Sequence, residues 1–339
     1  MVKVIPELGK DWPGTRIWKI IDGKDENGEY KYRDAKVGIT LRHLLTHSIG
    51  SALHFNSESG LKFFNESLEV GPPHMAGNIA AYNEPRMWES GEGWAYGLPA
   101  EWLGVFVQRK NGTSFRQAAQ ELLYEPLGLP KDTIETFRTP AMDENLVEIV
   151  AKLPDGSFVS LPTPFDTPQH AGVPPEGQSV LGNAPFWSSI RTFTQALRCL
   201  LNKSAPSPGG KPLISEKLFE EAIGDDFERR GISIKQNPFM VSTDNNLSTD
   251  IDWWSKPCEG QDETLGWNML QQSYHRAETP VGFKPDVTEW SGLANTYYFV
   301  DREKDIVCVI STQSLPWGQP DMIKLKNDFF KLVFDHSKA

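Results

Sequence analysis

The hydrophobic period of this chain changes in its C-terminal third, and that change sets its fold class. From Thr40 to Ile223 the clear apolar segments repeat three and four residues apart, the spacing of helices that bury one face. Beyond Thr264 the pattern shifts. Thr264–Gln272, Glu289–Val300 and Asp305–Thr312 are rich in Trp, Tyr, Val and Ile, so they read as strands, and Asp301–Lys304 makes a tight charged turn between the last two. The segment Met322–Phe334 returns to helical spacing, with Ile323, Leu325, Phe329, Phe330 and Val333 able to cover one sheet face. A helical middle, antiparallel strands and a closing helix predict an α+β fold. We read residues 1–339 as one domain, mainly helical over about 40–225 and sheet with a C-terminal helix over about 226–339.

Local signals refine the segments. Asp22-Gly23 and Asn27-Gly28 predict irregular structure or a short hairpin between Asp11 and Lys36. Thr40 stands as an N-cap before Leu41, Leu44 and Leu45, with Gly50 as the stop. Trp102, Leu103, Phe106 and Val107 predict a helix over Pro99–Lys110, ended by Asn111-Gly112. Further helices are expected at Ser114–Tyr124, Ser188–Leu201 and Ser215–Ile223. Leu153–Val159 reads as two short strands around Asp155-Gly156, inside a Pro-rich connection from Arg138 to Pro185.

Composition excludes several classes of partner. A net charge of -11 with scattered basic residues speaks against nucleic acid and against an anionic membrane surface. Nothing approaches the roughly 18 consecutive apolar residues of a membrane span, and Met1–Pro6 has no apolar core of a signal peptide. Three cysteines, Cys199, Cys258 and Cys308, suit a reducing compartment. Cytoplasmic localisation is therefore expected, and the Asn-x-Ser/Thr sequons at Asn65, Asn111, Asn202 and Asn246 read as chance matches. His43 and His47 lie four apart, which on one helix face permits metal binding. Leu44 stands where a His-Glu-x-x-His helix carries its glutamate, so packing or hydrogen bonding is the expected role. No metal and no cofactor is called for.

Several segments carry a shared signature in order. They are Val4–Leu8, Ile39–Gly50 with its His43-Leu44-Leu45-Thr46-His47 core, Trp88–Leu98, Glu101–Gly104, Glu125–Leu129 and Trp290–Asp301. Together they resemble the serine β-lactamase-like and transpeptidase-like hydrolases over nearly the whole chain. Among these the Tyr-Gly and Trp-x-Gly versions are most similar to fungal esterases and acyltransferases that tailor polyketides. The resemblance implies an antiparallel sheet flanked by helices plus a mainly helical subdomain.

It also implies chemistry that these residues carry only in part. In the family a Ser-x-x-Lys pair precedes the His-Leu-Leu-Thr-His run by several dozen residues, the lysine and a tyrosine sharing the task of activating the serine. Met1–Gly38 contains no serine, which implies a family member lacking the N-terminal strands and nucleophile helix. The sole Ser-x-x-Lys, Ser59–Lys62, follows the run instead of preceding it. In Ser188–Arg191 an arginine, which stays protonated, replaces the lysine. No Gly-x-Ser-x-Gly elbow occurs. Tyr96 matches the family's tyrosine; without a neighbouring lysine it would hold its proton and serve as hydrogen-bond donor or general acid. Trp187, Trp290, Ser291, Gly292 and Leu293 are the expected substrate-binding residues, with the amide near Leu293 facing a developing oxyanion.

Tryptophans beside these motifs, Trp88, Trp94, Trp102, Trp187, Trp253, Trp254 and Trp290, suit an apolar organic ligand and core packing equally. Three functions stay open. The first is a tailoring enzyme for an apolar, polyketide-like metabolite, using non-covalent acid/base or positioning catalysis for dehydration, isomerisation or cyclisation. The second is a non-catalytic binding or regulatory protein, and an exposed sheet edge would suit homo-oligomer formation. The third is a serine esterase or acyltransferase with a truncated sequence.

Overall fold

The computed structural model describes residues 1–51, 79–94, 96–135, 139–153, 155–161, 186–231, 265–270, 272–274, 287–292, 294–315 and 318–337. In chain order the elements begin with strands β1 (Lys19–Lys24) and β2 (Tyr30–Asp34), then helices α1 (Leu41–Leu45), α2 (Pro99–Asn111) and α3 (Phe115–Ala119). Next come β3 (Ile134–Glu135), α4 (Pro140–Asp143), β4 (Ile149–Lys152), β5 (Phe158–Leu161), β6 (Trp187–Ser188), α5 (Ile190–Leu197), α6 (Glu216–Ile223) and α7 (Asp226–Arg230). The last are β7 (Leu265–Trp267), β8 (Gln272–Tyr274), β9 (Thr288–Gly292), β10 (Thr296–Asp301), β11 (Ile306–Ser311), β12 (Ser314–Leu315) and α8 (Pro320–His336). No helix among the described residues is long and apolar enough to cross a membrane.

The chain divides into two compact units that interleave in sequence. The first takes Met1–Ala118, Pro174–Ala184 and Phe227–Asn245; the second takes Ala119–Val173, Pro185–Asp226 and Asn246–Ala339. In the first unit, Ile5, Leu8, Ile17, Ile39, Leu44, Ile49, Tyr82, Leu98, Trp102 and Val105 form one buried cluster. The hairpin β1–β2 is antiparallel, one of the two outcomes the Gly pairs left open; Asn27-Gly28 lies in its turn, whereas Asp22-Gly23 falls inside β1, where the register shifts. Helix α2 starts at Pro99, whose fixed φ suits a first turn, and stops where Gly112 turns left-handed at φ +65°. Its last turn is tied to the N-terminal segment by Arg109, which grips both Glu7 oxygens at 2.7 Å.

Helix α1 is shorter than its apolar spacing predicts. Thr40 caps it, its hydroxyl accepting from the His43 amide while His43 Nδ1 accepts from the Thr40 amide. The helix then ends at Leu45 and not near Gly50, because Thr46 Oγ1 donates back to the Arg42 carbonyl and the chain turns left-handed at His47 (φ +50°). The Ser48 amide bonds the His43 carbonyl at 2.9 Å and the His47 amide bonds Leu44 at 3.3 Å. These are the paired bonds of a Schellman motif, with histidine in the position that usually holds glycine. His43 and His47 consequently do not share a helix face.

In the second unit the five-stranded sheet runs β11-β10-β9-β8-β7, antiparallel throughout. Tyr297, Phe299 and Cys308 on one face pack with Phe330 and Phe334 of α8, and Phe299 meets Phe330 edge-on at 4.8 Å. The opposite face carries Tyr298, edge-on to Phe193 of α5 at 5.4 Å. The closing helix therefore covers the sheet as its spacing predicts. Glu289–Val300, however, is not one strand but the hairpin β9–β10, and Thr264–Gln272 likewise folds back as β7–β8. Asn295 breaks the first run. It sits fully buried at φ +55°. Its Oδ1 accepts from the Tyr297 hydroxyl (2.6 Å) and the Gly318 amide (2.9 Å), while Nδ2 donates to Ser314 O (2.7 Å).

The helices expected from Ser188 and Ser215 form, each started by a serine cap. Ser189 and Ser215 accept from the amides of Thr192 and Leu218 to start α5 and α6. Helix α3 is continued by a π-helical turn over Gln120–Tyr124, which packs Tyr124 with Leu127, Leu129 and Ile134. β4 and β5 pair around Asp155-Gly156, and β12 joins β4 in parallel.

Candidate active site

The segment Glu84–Gly97 brings Tyr96 to its place, and it is fastened from both sides. The Arg86 amide donates to Lys19 O and its carbonyl accepts from Ile21, both at 2.8 Å, which attaches the segment to β1. On the other side Met87 N bonds Gly50 O at 2.7 Å and Gly91 N bonds Ser48 O at 2.8 Å. Gly50 has no substitute here. It lies at φ +93°, and an added Cβ would stand 2.7 Å from the Trp88 carbonyl. Gly93 lies flat against the Trp88 indole, where a Cβ would meet Cε2 at 2.9 Å. Trp94, the next residue, is buried.

Charged side chains complete the fastening. Glu89 accepts from the Lys36 and Val37 amides at 3.0–3.1 Å and from Arg33 Nη1 at 2.6 Å. Burial pushes its carboxyl up, but the Arg33 hydrogen bond and the two amides outweigh this and hold it below the usual carboxylate value. Arg86 is fully buried; its Nη1 donates to Ser90 Oγ (2.6 Å) and Val37 O (3.1 Å), and its guanidinium lies over the Trp18 ring. Burial lowers its pKa to about 10. Nε and Nη2 of Arg86 and Oε1 of Glu84 are buried without a hydrogen-bond partner. Desolvation raises the Glu84 carboxyl well above its usual value, against the attraction of Arg16.

Tyr96 is half-buried at the margin of the first unit's core. Its ring lies beside His47, centroids 5.0 Å apart and planes tilted by 33°. The next amide, Gly97 N–H, donates to His47 Nδ1 at 3.4 Å. With Nδ1 accepting, the imidazole proton of a neutral ring belongs on Nε2. Only 7% of His47 is exposed, and burial pushes its pKa down to about 3. His47 is therefore a neutral neighbour near pH 7 and cannot itself supply a proton there.

The second unit carries the other sequence-derived site residues. Trp290 lies in β9 opposite Tyr298, Ser291 opposite Tyr297 and Gly292 opposite Thr296. Strand alternation therefore puts Trp290 and Gly292 on the sheet face of Tyr298, and the Ser291 side chain on the face that packs with α8. On the Trp290 side Ser291 can offer only its backbone. Trp290 is half-buried and meets Trp267 edge-on at 4.9 Å. Trp187, also half-buried, pairs with Glu135 in the two-stranded β3–β6 sheet immediately before α5. Leu293 lies outside the described residues, as do Ser59, Lys62, His74, His170, Trp253, Trp254, Cys258 and His275.

Among the described residues no cluster of His, Cys, Asp and Glu could hold a metal ion. Cys199 and Cys308 are unpaired, and burial raises their thiols to about 11 and about 12, the condition of inert packing cysteines. The sequence singled out Tyr96, Trp187 and Trp290 by motif alone. It missed Arg86, Glu84 and Glu89, because Asn83-Glu84-Pro85-Arg86 reads as exposed loop and nothing local announces a buried charge. Asn295 was quoted within a motif without a role; an Asn in the middle of a strand-like run was the available signal for a left-handed turn.

The family model described as Beta-lactamase matches residues 12–330. The chain is 23% identical over 334 residues to acyltransferase calJ of Penicillium decumbens, covering 98% of this chain and 72% of that protein. It is 30% identical to ML-236A carboxylate methylbutanoyltransferase mlcH of Penicillium citrinum, covering 96% and 73%. A mutant simvastatin synthase from Aspergillus terreus has the same fold, with a TM-score of 0.72 at 18% identity over 98% of this chain and 74% of that one.

Proposed function

Because the chain belongs to the β-lactamase family, we propose that it is a tailoring enzyme for a small, apolar, polyketide-like metabolite, with Tyr96 as its proton-handling residue. The observation that carries this reading is the setting of Tyr96: half-buried, fastened by the segment before it, and flanked by a neutral imidazole. Core packing alone does not call for a tyrosine hydroxyl at that margin. In this reading Tyr96 donates a proton or hydrogen bond to a developing anion, and the reaction is a dehydration, isomerisation or cyclisation in which no covalent intermediate forms. Trp187, Trp290 and Gly292, with the backbone of Ser291 and Leu293, are proposed to bind the apolar body of the substrate. The relatives' names, an acyltransferase and a methylbutanoyltransferase, support a small-molecule substrate. The test is turnover in extracts that contain the native metabolite: Tyr96→Phe and Trp290→Ala should each cut it at least tenfold, and unchanged turnover in both retires the proposal.

Those same names favour a second reading, acyl transfer or ester cleavage through a serine. A fluorophosphonate probe separates the two. Stoichiometric labelling of one serine supports the second, and a protein that turns over substrate without labelling supports the first.

Self-association is part of the proposal in one respect. Strand β11 ends the five-stranded sheet and carries the apolar run Ile306–Ile310, an edge suited to a second copy of this chain. Light scattering over a range of concentrations should find a dimer; a monodisperse monomer rejects the edge pairing and leaves the Tyr96 reading intact.

A further inference from the structure

We infer that His47 is a positioning residue for Tyr96, held in a strained backbone conformation so that its Nδ1 can anchor the Gly97 amide beside the phenol. The inference rests on the reading of Tyr96 given above but is carried by separate geometry. His47 occupies the left-handed position of the Schellman motif that ends α1, at φ +50°. Glycine fits that position without strain, whereas histidine has a Cβ that crowds the backbone; asparagine shares that Cβ but adopts the conformation more readily because its short polar side chain can bond locally. A turn needed only to stop the helix would gain by being glycine. The histidine side chain has contacts that glycine could not supply: Nδ1 accepts from Gly97 N–H at 3.4 Å, and the ring lies 5.0 Å from that of Tyr96. Both fall on the two residues that carry the family's Tyr-Gly motif.

Burial keeps the device in one state. A protonated Nδ1 could not accept from Gly97, and the low pKa of His47, about 3, keeps that nitrogen free of a proton under ordinary conditions. The anchor therefore acts through a fixed acceptor and not through a change of charge. His43, four residues earlier, is different: its Nδ1 accepts from Thr40 and serves the start of the helix.

The test uses 3-fluorotyrosine-labelled protein, with the Tyr96 resonance assigned by its loss in Tyr96→Phe. Of the resonances from the eight tyrosines, that of Tyr96 should be one narrow ¹⁹F line in the parent. His47→Gly should melt at the same or a higher temperature, because backbone strain is relieved, yet its Tyr96 line should broaden at least twofold or split. His47→Asn, which tolerates the left-handed turn and places an oxygen where Nδ1 was, should restore the narrow line. An unchanged line in His47→Gly overturns the inference. A line in His47→Asn as broad as that in His47→Gly also overturns it, since the ring and not the acceptor would then hold Tyr96. Turnover of Tyr96→Phe is a separate readout: if it matches the parent, the proposed function fails while the ¹⁹F result still decides the role of His47.

Discussion

Arg86 and Phe330 are both fully buried, and their surroundings are unlike. Phe330 sits in a cluster of Val287, Tyr297, Phe299, Cys308 and Phe334, where contact is apolar and tolerant of direction. Arg86 spans Ser90 and Val37 beside the Trp18 ring, and two of its nitrogens have no partner. The second unit thus holds its sheet and α8 by apolar area, while the first places the segment leading to Tyr96 through directional bonds to buried charges. Directional bonds lose strength steeply when bent, so the first arrangement suits a side chain whose position matters more than its stability.

The largest expected effects test that contrast directly. Phe330→Ala should cost about 3–5 kcal/mol through lost contacts and a cavity, and Arg86→Ala about 2–5 kcal/mol through the cavity left by the side chain and the lost bonds to Ser90 and Val37. Urea denaturation measures both. Arg86→Met separates the units: buried ionic groups replaced by apolar side chains of similar size often lose little stability. It should recover most of the Arg86→Ala loss while leaving turnover impaired. If Arg86→Met restores turnover too, the bonds of Arg86 do not place Tyr96 and the contrast between the units collapses.

The same contrast explains what the sequence disclosed. The second unit largely follows its hydrophobic pattern: α8 covers the sheet with Ile323, Phe329, Phe330 and Val333 as its spacing names, although Leu325 is exposed and Phe334 takes a buried place, and the helices expected from Ser188 and Ser215 form. Area burial leaves a periodic trace that a single sequence shows. Glu289–Val300 misled because Asn295 adopts the left-handed conformation of a turn, held there by side-chain bonds to Tyr297, Ser314 and Gly318, and one polar residue does not disturb a composition-based strand reading. In the first unit the β1–β2 hairpin and α2 were legible from Gly and Pro. The early end of α1 and the left-handed His47 were not, since a threonine back-bond and a histidine in glycine's usual place are uncommon helix stops; nor was the burial of Arg86, Glu89 and Glu84, which face Val37, Arg33 and Arg16 dozens of residues away. Tyr96 was legible only through its motif.

An intermediate effect comes from Glu89, which accepts from Arg33 and from the Lys36 and Val37 amides. Glu89→Gln should cost about 1.5–3 kcal/mol, the usual range for hydrogen bonds to a charged group, reduced by the partial exposure of Arg33. Its carboxyl titrates below the usual value in the folded state. The stabilisation is therefore present above the unfolded value, about 4.5, and fades as pH falls through the folded one. Denaturation at pH 7 and at pH 3 should show the difference between variant and parent shrinking. A difference independent of pH would mean that shape, and not charge, is what Glu89 provides.

The smallest effect has the opposite sign, which makes it the sharpest check on buried charge in the first unit. Glu84 lies 6% exposed with Oε1 lacking a partner, and desolvation raises its carboxyl well above 4.5 although Arg16 pulls it down. At acidic pH the group is protonated in folded and unfolded chains alike and has no effect through charge. As pH rises past 4.5 the unfolded chain ionises first, so the parent loses stability until the folded carboxyl also gives up its proton. Glu84→Gln removes that loss. The amide still buries an imperfectly bonded polar group, so the gain near pH 7 should be only about 1 kcal/mol, and it should vanish near pH 4. Thermal melts at the two values measure it. A variant less stable than the parent at pH 7 would mean that ionised Glu84 is held by Arg16, and the unit's charges would then stabilise it as well as position it.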